Sequence, residues 1–307
     1  MKPNWPTRRQ LLSGLGSIPL GLGGGGAYAR WIEPGSDIQI AHYRPQPENW
    51  PSGMKLRIAA LADLHCGSVH MSLPRIEDIV ARTNALNPDI ILLLGDYVCR
   101  EQKNVHGVAA PDWAGSLASL KAPLGVHAIL GNHEYWDDPQ IMRSRQGMPA
   151  GGRALVEAGI PVMTNSAIRI SGTNGPFWLA GLDDQICFMV GRNRFIGRDD
   201  LPAALGMVSD DTPVILMAHE PDLFVDVPAR ISLTLSGHTH GGQVKFLGWS
   251  PYIPSNYGSR FQHGLIVEEG RHLIVSAGLG TSGPPMRFGV PPEIVLVEMG
   301  SAGPENA

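Results

Sequence analysis

The sequence predicts a single α/β domain in which a sheet core, buried on both faces, is flanked by helices. Apolar runs of strand length at 56–61, 90–94, 126–130, 214–217 and 231–235 lack the alternation of a half-exposed sheet, as expected of strands covered on both sides. A helical period stands between the first two runs, and each run ends in a polar motif. In open α/β sheets ligands bind at the carboxyl ends of the strands, so those ends are where function is expected.

In chain order, residues 30–54 are rich in proline and polar groups and are expected to form a wrapping arm or short edge strand. The run 56–61 leads into a helix over 73–86, with Ile76, Ile79, Val80 and Thr83 on one face, closed by Asn87-Pro88-Asp89. The second strand, 90–94, is followed by a helical segment at 113–120, then by the third strand, 126–130. Beyond Pro139 come a helix at 153–158 and strand candidates at 161–164, 167–170 and 177–182. A further helix is expected at 201–207, and terminal strands at 265–267, 272–275 and 294–297 are joined by glycine and proline turns.

At 307 residues, 43% of them hydrophobic, the chain can bury a full core. No heptad, internal repeat, charge block or linker interrupts 51–299, so one domain over 55–299 is expected, with 300–307 as a disordered tail. The formal charge of -4, with no basic run beyond the first nine residues, argues against nucleic acid as a partner through backbone electrostatics. Cys66, Cys99 and Cys187 are too few for a disulfide scaffold. Cys66 and Cys99, on loops after neighbouring strands, are read as buried free thiols, with pairing as the alternative.

The N-terminus resembles a bacterial twin-arginine export signal: Thr7-Arg8-Arg9-Gln10-Leu11-Leu12, an uncharged stretch over 11–29, and the cleavage-like triplet Ala27-Tyr28-Ala29. The expectation is a signal peptide over 1–29, an encounter with the twin-arginine export machinery, and a protein that is periplasmic or peripheral to the membrane or cell envelope. A disordered arm is the structural alternative.

The strand ends carry Asp63-Leu64-His65, Gly95-Asp96, Gly131-Asn132-His133-Glu134, Ala218-His219-Glu220-Pro221 and Gly237-His238-Thr239-His240-Gly241-Gly242-Gln243. Singly, each has a structural explanation: Asp63 and Asp96 suit caps or turns, His219 a satisfied core position, and a His-x-His pair two surface imidazoles. Carboxylates and imidazoles converging from several strand ends also suit a pair of divalent ions, which need a shared anionic bridge and terminal N and O ligands.

In this order the blocks resemble the calcineurin-like metallophosphoesterases over about residues 55–299. The resemblance implies a central β-sandwich of two mixed sheets flanked by helices, and two divalent metal ions, manganese, iron or zinc. It makes Asp96 the bridge, gives Asp63, His65 and His240 to one ion, and gives Asn132, His219 and His238 to the other. A hydroxide bridging the ions would be the nucleophile. His133 would face the leaving-group oxygen as proton donor or charge stabiliser. Glu134 and Glu220 are read as orienting histidines or capping helices, and Asp183 and Asp184 as structural.

Arg100, in Gly95-Asp96-Tyr97-Val98-Cys99-Arg100, resembles the phosphate-clamping arginine of the protein serine/threonine phosphatases, although Cys99 and Glu101 break that block. Arg287, beyond the glycine turn 278–283, is a second candidate for substrate contact; each is otherwise a solvated loop residue. Between 244 and 257, Phe246, Leu247, Trp249, Tyr252, Ile253 and Tyr257 either pack their own loop or form an apolar mouth suited to a lipid-linked substrate. Together with the export signal and Ser276-Ala277-Gly278-Leu279-Gly280-Thr281, these features most resemble the exported or membrane-associated bacterial branch. The leading expectation is phosphodiester hydrolysis on an envelope or lipid-linked substrate. The alternatives are cleavage of a UDP-2,3-diacylglucosamine-type pyrophosphate, a phosphomonoesterase or protein phosphatase, and a non-catalytic envelope-binding module.

Overall fold

A computed structural model of the chain describes residues 25–99, 105–172, 174–191 and 194–301. Two mixed sheets face each other. In the five-stranded sheet, β2 (Leu56–Leu61), β3 (Ile90–Leu93) and β4 (Val126–Ala128) run parallel. Strand β13 (Glu293–Met299) pairs antiparallel with β2, and β1 (Gln39–Tyr43) lies on the edge beside β13. The 30–54 segment therefore supplies an edge strand.

The six-stranded sheet has the order β11-β12-β10-β9-β6-β5. Its parallel centre is β6 (Gly175–Gly181), β9 (Val214–Met217), β10 (Ile231–Ser236) and β12 (Arg271–Val275). Strands β5 (Ser166–Gly172) and β11 (Gly264–Glu268) close it antiparallel at the edges.

The burial of β2 explains the missing alternation. Ile58 and Ala60 pack between the sheets with Leu179, Ile215 and Leu233. Ala59 and Leu61 point the other way, onto Ile76 and Ile79 of helix α1 (Leu73–Ala85) and Trp113 of α2 (Ala110–Leu117). Both faces are dry, so both sets of positions are apolar, and each large aliphatic side chain so buried contributes roughly 1.5–3 kcal/mol. A third core covers the outer face of the second sheet, where Trp178, Ala180 and Leu216 meet Leu201, Ala204 and Phe224. The result is a helix, sheet, sheet, helix sandwich.

Differences from expectation are local. The strand expected at 161–164 is reduced to a bridge between Ala128 and Val162, because Pro161 has no N–H for a ladder. Helices α2 and α5 (Ala150–Glu157) start earlier than their apolar periods, after Ala109 and Pro149, with Pro111 opening α2. Short helices α3 (Asn132–Trp136) and α4 (Pro139–Ser144) and the hairpin β7 (Phe188–Gly191) and β8 (Arg194–Ile196) are too brief to show a period. Helix α6 (Leu201–Gly206) matches the segment expected there.

Residues 1–24, most of the segment expected to be a signal, and the tail beyond 301 lie outside the described residues. The end of that segment is ordered on the domain: Ala29 is buried, its carbonyl accepts the backbone N–H of Arg287, and the ring of Tyr28 meets Phe288 edge-on. Among the described residues no helix is long and apolar enough to cross a membrane.

Candidate dinuclear metal centre

The loops after β2, β3, β4, β9 and β10 meet at one end of the sandwich. Three overlapping groups of side chains there, Asp63 with His65 and His240, His65 with Asp96 and His133, and Asp96 with His219 and His238, each gather donor atoms within 4.8 Å of one another. All but His238 are buried. Asn132 joins the last group, its Oδ1 lying 2.9 Å from Nδ1 of His238.

The backbone brings this about at a cost. Asp63, His65, Asp96, His238 and His240 all take positive φ, between 48° and 68°. Non-glycine residues rarely occupy that left-handed region, and strain of this kind is retained where surrounding structure and function hold it. Close approach also selects glycine. A Cβ on Gly131 would stand 2.4 Å from Oδ1 of Asp96, and one on Gly237 would stand 2.6 Å from Oδ2 of Asp63.

The ring nitrogens are oriented from behind. Nδ1 of His65 lies 3.0 Å from the Val98 carbonyl, and Nδ1 of His219 lies 2.7 Å from that of Leu94. A carbonyl only accepts, so each Nδ1 carries a proton and each Nε2 is turned into the site. Nε2 of His65 is 3.1 Å from Nε2 of His240, which is 3.6 Å from Oδ1 of Asp63. Nitrogens held about 2.0–2.1 Å from one ion, at near right angles, are separated by about this distance. Asp96 reaches both groups, with Oδ2 3.1 Å from Nε2 of His219 and 3.9 Å from Nε2 of His65. Asp96 thus belongs to two of the three candidate groups.

Electrostatics agree. Burial pushes Asp63 up to about 7, with His219 pulling against it, and burial takes His65 down to about 4. Burial also opposes ionisation of Asp96, but His219 and His133 outweigh it and hold that carboxyl well below its ordinary range. Burial likewise keeps the imidazoles of His238 and His240 neutral; it opposes a charge on His219 too, but the Asp96 carboxylate outweighs it and raises that ring well above its ordinary value, a proton that a bound cation would displace. The residues fit two ions.

His133 lies beside this set. Its Nδ1 is 3.2 Å from Oδ2 of Asp137, one helical turn on, and its Nε2 is 3.4 Å from Ser282 Oγ. Its backbone N–H donates to Asp96. The pairing with Asp137 was available to sequence reasoning from the i, i+4 spacing and was missed.

Glu134 is a brace. Its carboxylate accepts the backbone N–H groups of Gly131, Asp96, Tyr97 and Val98, tying the loops after β3 and β4 together. Glu220 stands behind His238, and Asp184 keeps its proton well above the usual range because of burial and then the Glu220 carboxylate. Asp183 bonds Tyr135 and pairs with Arg198, in keeping with a structural role.

The family pattern described as calcineurin-like phosphoesterase matches residues 56–242. An uncharacterized metallophosphoesterase of Aquifex aeolicus is 32% identical over 87% of this chain and 93% of its own length. The uncharacterized metallophosphoesterase YkuE of Bacillus subtilis is 30% identical over 96% of this chain and 98% of its own length. The chain belongs to the calcineurin-like phosphoesterases. A bovine transmembrane protein with a metallophosphoesterase domain is also 30% identical, over 82% of this chain and 54% of its own length.

In this phosphoesterase the substrate-contact candidates fall differently from the ligands. Arg100 lies outside the described residues. Arg287 is fully buried, and its guanidinium donates to the carbonyls of Ala277, Gly278, Gly280 and Val290. It holds the loop that packs on Asp63 and offers no donor to a bound phosphate, so the substrate contact expected there is replaced by a structural one. Burial takes its guanidinium down to about 10, still charged at neutral pH. Cys66 and Cys99 are not joined in a disulfide.

Proposed function

We propose that this phosphoesterase hydrolyses phosphodiesters on an envelope or lipid-linked substrate, after twin-arginine export to the periplasm or the membrane periphery. The observation that carries the hydrolytic reading is the convergence of Asp63, His65, Asp96, Asn132, His219, His238 and His240 around His133. When bound, the ions supply positive charge for the phosphoryl oxygens and acidify water.

The chain's own residues supply the rest. Asp63 and Asp96 offset part of the metal charge, leaving an excess that attracts a phosphoester anion. Asp137 accepts from Nδ1 of His133, stabilises its imidazolium and aims Nε2 toward the site, which suits protonation of a leaving oxygen. Because Arg287 is enclosed, it is not available to offset the second charge of a monoester, which favours a diester monoanion. The bovine relative's transmembrane character is in keeping with a membrane-proximal substrate.

The test is hydrolysis by the manganese-loaded chain of a diester, a monoester and a nucleotide-linked lipid pyrophosphate, with His133→Ala as control. Fastest turnover of the diester is expected. Preference for the pyrophosphate or the monoester moves the assignment to those activities, and no turnover on any of them leaves the non-catalytic binding module.

A further inference from the structure

The domain exposes large apolar side chains on the loop that follows the metal-binding turn: Leu247 is 91% exposed, Trp249 68%, and Phe246 and Tyr252 are also open to solvent. A second exposed set, Tyr28, Trp31 and Ile32, belongs to the π-helical turn Tyr28–Ile32 and reaches 66% exposure at Trp31. Phe288 joins them, with its ring 6.2 Å from Tyr28 and 6.3 Å from Phe246. Through Phe288, segments far apart in sequence form one aromatic face.

That face is anchored to the site. Gln262 donates to the Gly241 carbonyl and to Ser250 Oγ, so the metal-binding turn and the aromatic loop share a support. Ser282 faces Nε2 of His133 and donates its N–H to the Gln243 side chain, and the backbone of Phe288 pairs with Val244 and Lys245. A short chain of contacts thus runs from His133 to Phe246. On the far side of His133, Trp136 stacks on the exposed Phe195 of β8, giving the mouth a second apolar rim.

Charge and chain direction select the occupant. The chain as a whole is acidic, yet 25–32 and 227–267 contain no Asp or Glu, while Arg30 and Lys245 flank the aromatic residues. The uncharged apolar stretch 11–24 ends at Gly25, where this face begins. Tryptophan and tyrosine beside cations, with no carboxylate within either segment and an apolar segment leading in, are the composition of a surface that lies in a lipid headgroup region.

We propose that Trp31, Ile32, Phe246, Leu247 and Trp249, joined by Tyr28 in the full chain, form a docking face for an anionic lipid bilayer, which sets the mouth of the metal centre against the membrane. This rests on the hydrolytic reading only for its consequence, that the phosphoester is met at the bilayer surface.

The experiment is sedimentation of the full chain with phosphatidylglycerol vesicles, compared with a Leu247→Asn, Trp249→Ser variant. Asn suits the positive φ of residue 247, and both side chains stand in solvent, so the fold is retained. The native chain is expected to pellet with vesicles and the variant to partition about tenfold less. Brominated lipid should quench native tryptophan emission, and less so in Trp249→Ser. Failure of the native chain to pellet, or equal partition and quenching in the variant, overturns the docking face. Hydrolysis of a soluble diester, read on the same samples, should be alike in both. Its absence with partition intact overturns the hydrolytic reading instead.

Discussion

Glu134 and Asp96 hold each other's loops. Glu134 accepts the backbone N–H of Asp96 at 2.9 Å, while the Asp96 side chain accepts the N–H of His133, next to Glu134, also at 2.9 Å. The bridging position and the helix that carries His133 are therefore set by one reciprocal contact, buried at both ends.

Glu134→Ala is the first consequence. It leaves the N–H groups of Gly131, Asp96, Tyr97 and Val98 buried without an acceptor, and each such loss costs roughly 1–3 kcal/mol. The expected result is destabilisation of about 3 kcal/mol or more by urea denaturation, with reduced metal content by elemental analysis. Native stability with full metal would remove the brace.

The second concerns Asp137. Its carboxylate fixes the proton of His133 on Nδ1, so Asp137→Asn should lower kcat by about 10²-fold, as expected when a general acid is misdirected. Metal content should stay native, because Asp137 acts through His133, to which the family resemblance gives no ion. A change confined to KM would contradict this.

These two residues mark how far the amino-acid sequence alone specifies the site. The convergence of the candidate ligands was legible because each ends a strand-length apolar run, and buried parallel strands deliver their ends to one edge. Asp137 was hidden because α3 is too short to announce itself, although the spacing was there. The positive φ of His65 and Asp96 was not legible, since propensity assigns that region to glycine and tertiary contacts impose it here. Arg287 follows a glycine-rich turn, and nothing in its neighbours shows that four carbonyls close around it. Strand β1 was left between arm and edge strand because its residues face partial solvent.

Glycine positions give the third prediction, with an internal control. Gly131→Ala places a Cβ within 2.4 Å of Asp96 Oδ1 and should lower bound metal toward one ion or none. Gly115, inside α2, has nothing within 4 Å of the same added atom. Gly115→Ala should raise stability by about 0.5–1 kcal/mol through helix propensity and leave metal content alone. Calorimetry with metal analysis on both variants checks the pair.

Metal removal is the fourth. Ligands that bind only the folded state stabilise it by mass action, about 4 kcal/mol each at a thousandfold excess over Kd. The five candidate ligands at positive φ would also be relieved of mutual lone-pair repulsion by bound cations. Exhaustive chelation should lower Tm by several degrees, and added manganese should restore it. A Tm indifferent to chelator would mean that the donors do not hold ions in the folded chain.

Arg287 separates two accounts of one residue. A phosphate contact replaced by Lys would raise KM while leaving the fold alone. The guanidinium is instead buried against the carbonyls of Ala277, Gly278, Gly280 and Val290, and the backbone of the same residue bonds Ala29. Lysine offers a compact ammonium and cannot reach that spread of acceptors, so carbonyls are left unsatisfied beside Asp63. Arg287→Lys should therefore cost about 2–3 kcal/mol in denaturant and lower metal retention, with KM of the metal-loaded fraction unchanged. The carbonyl cage acts on Asp63 through the 277–280 loop, so the loss of activity should follow metal occupancy across a manganese titration and recover at saturating metal.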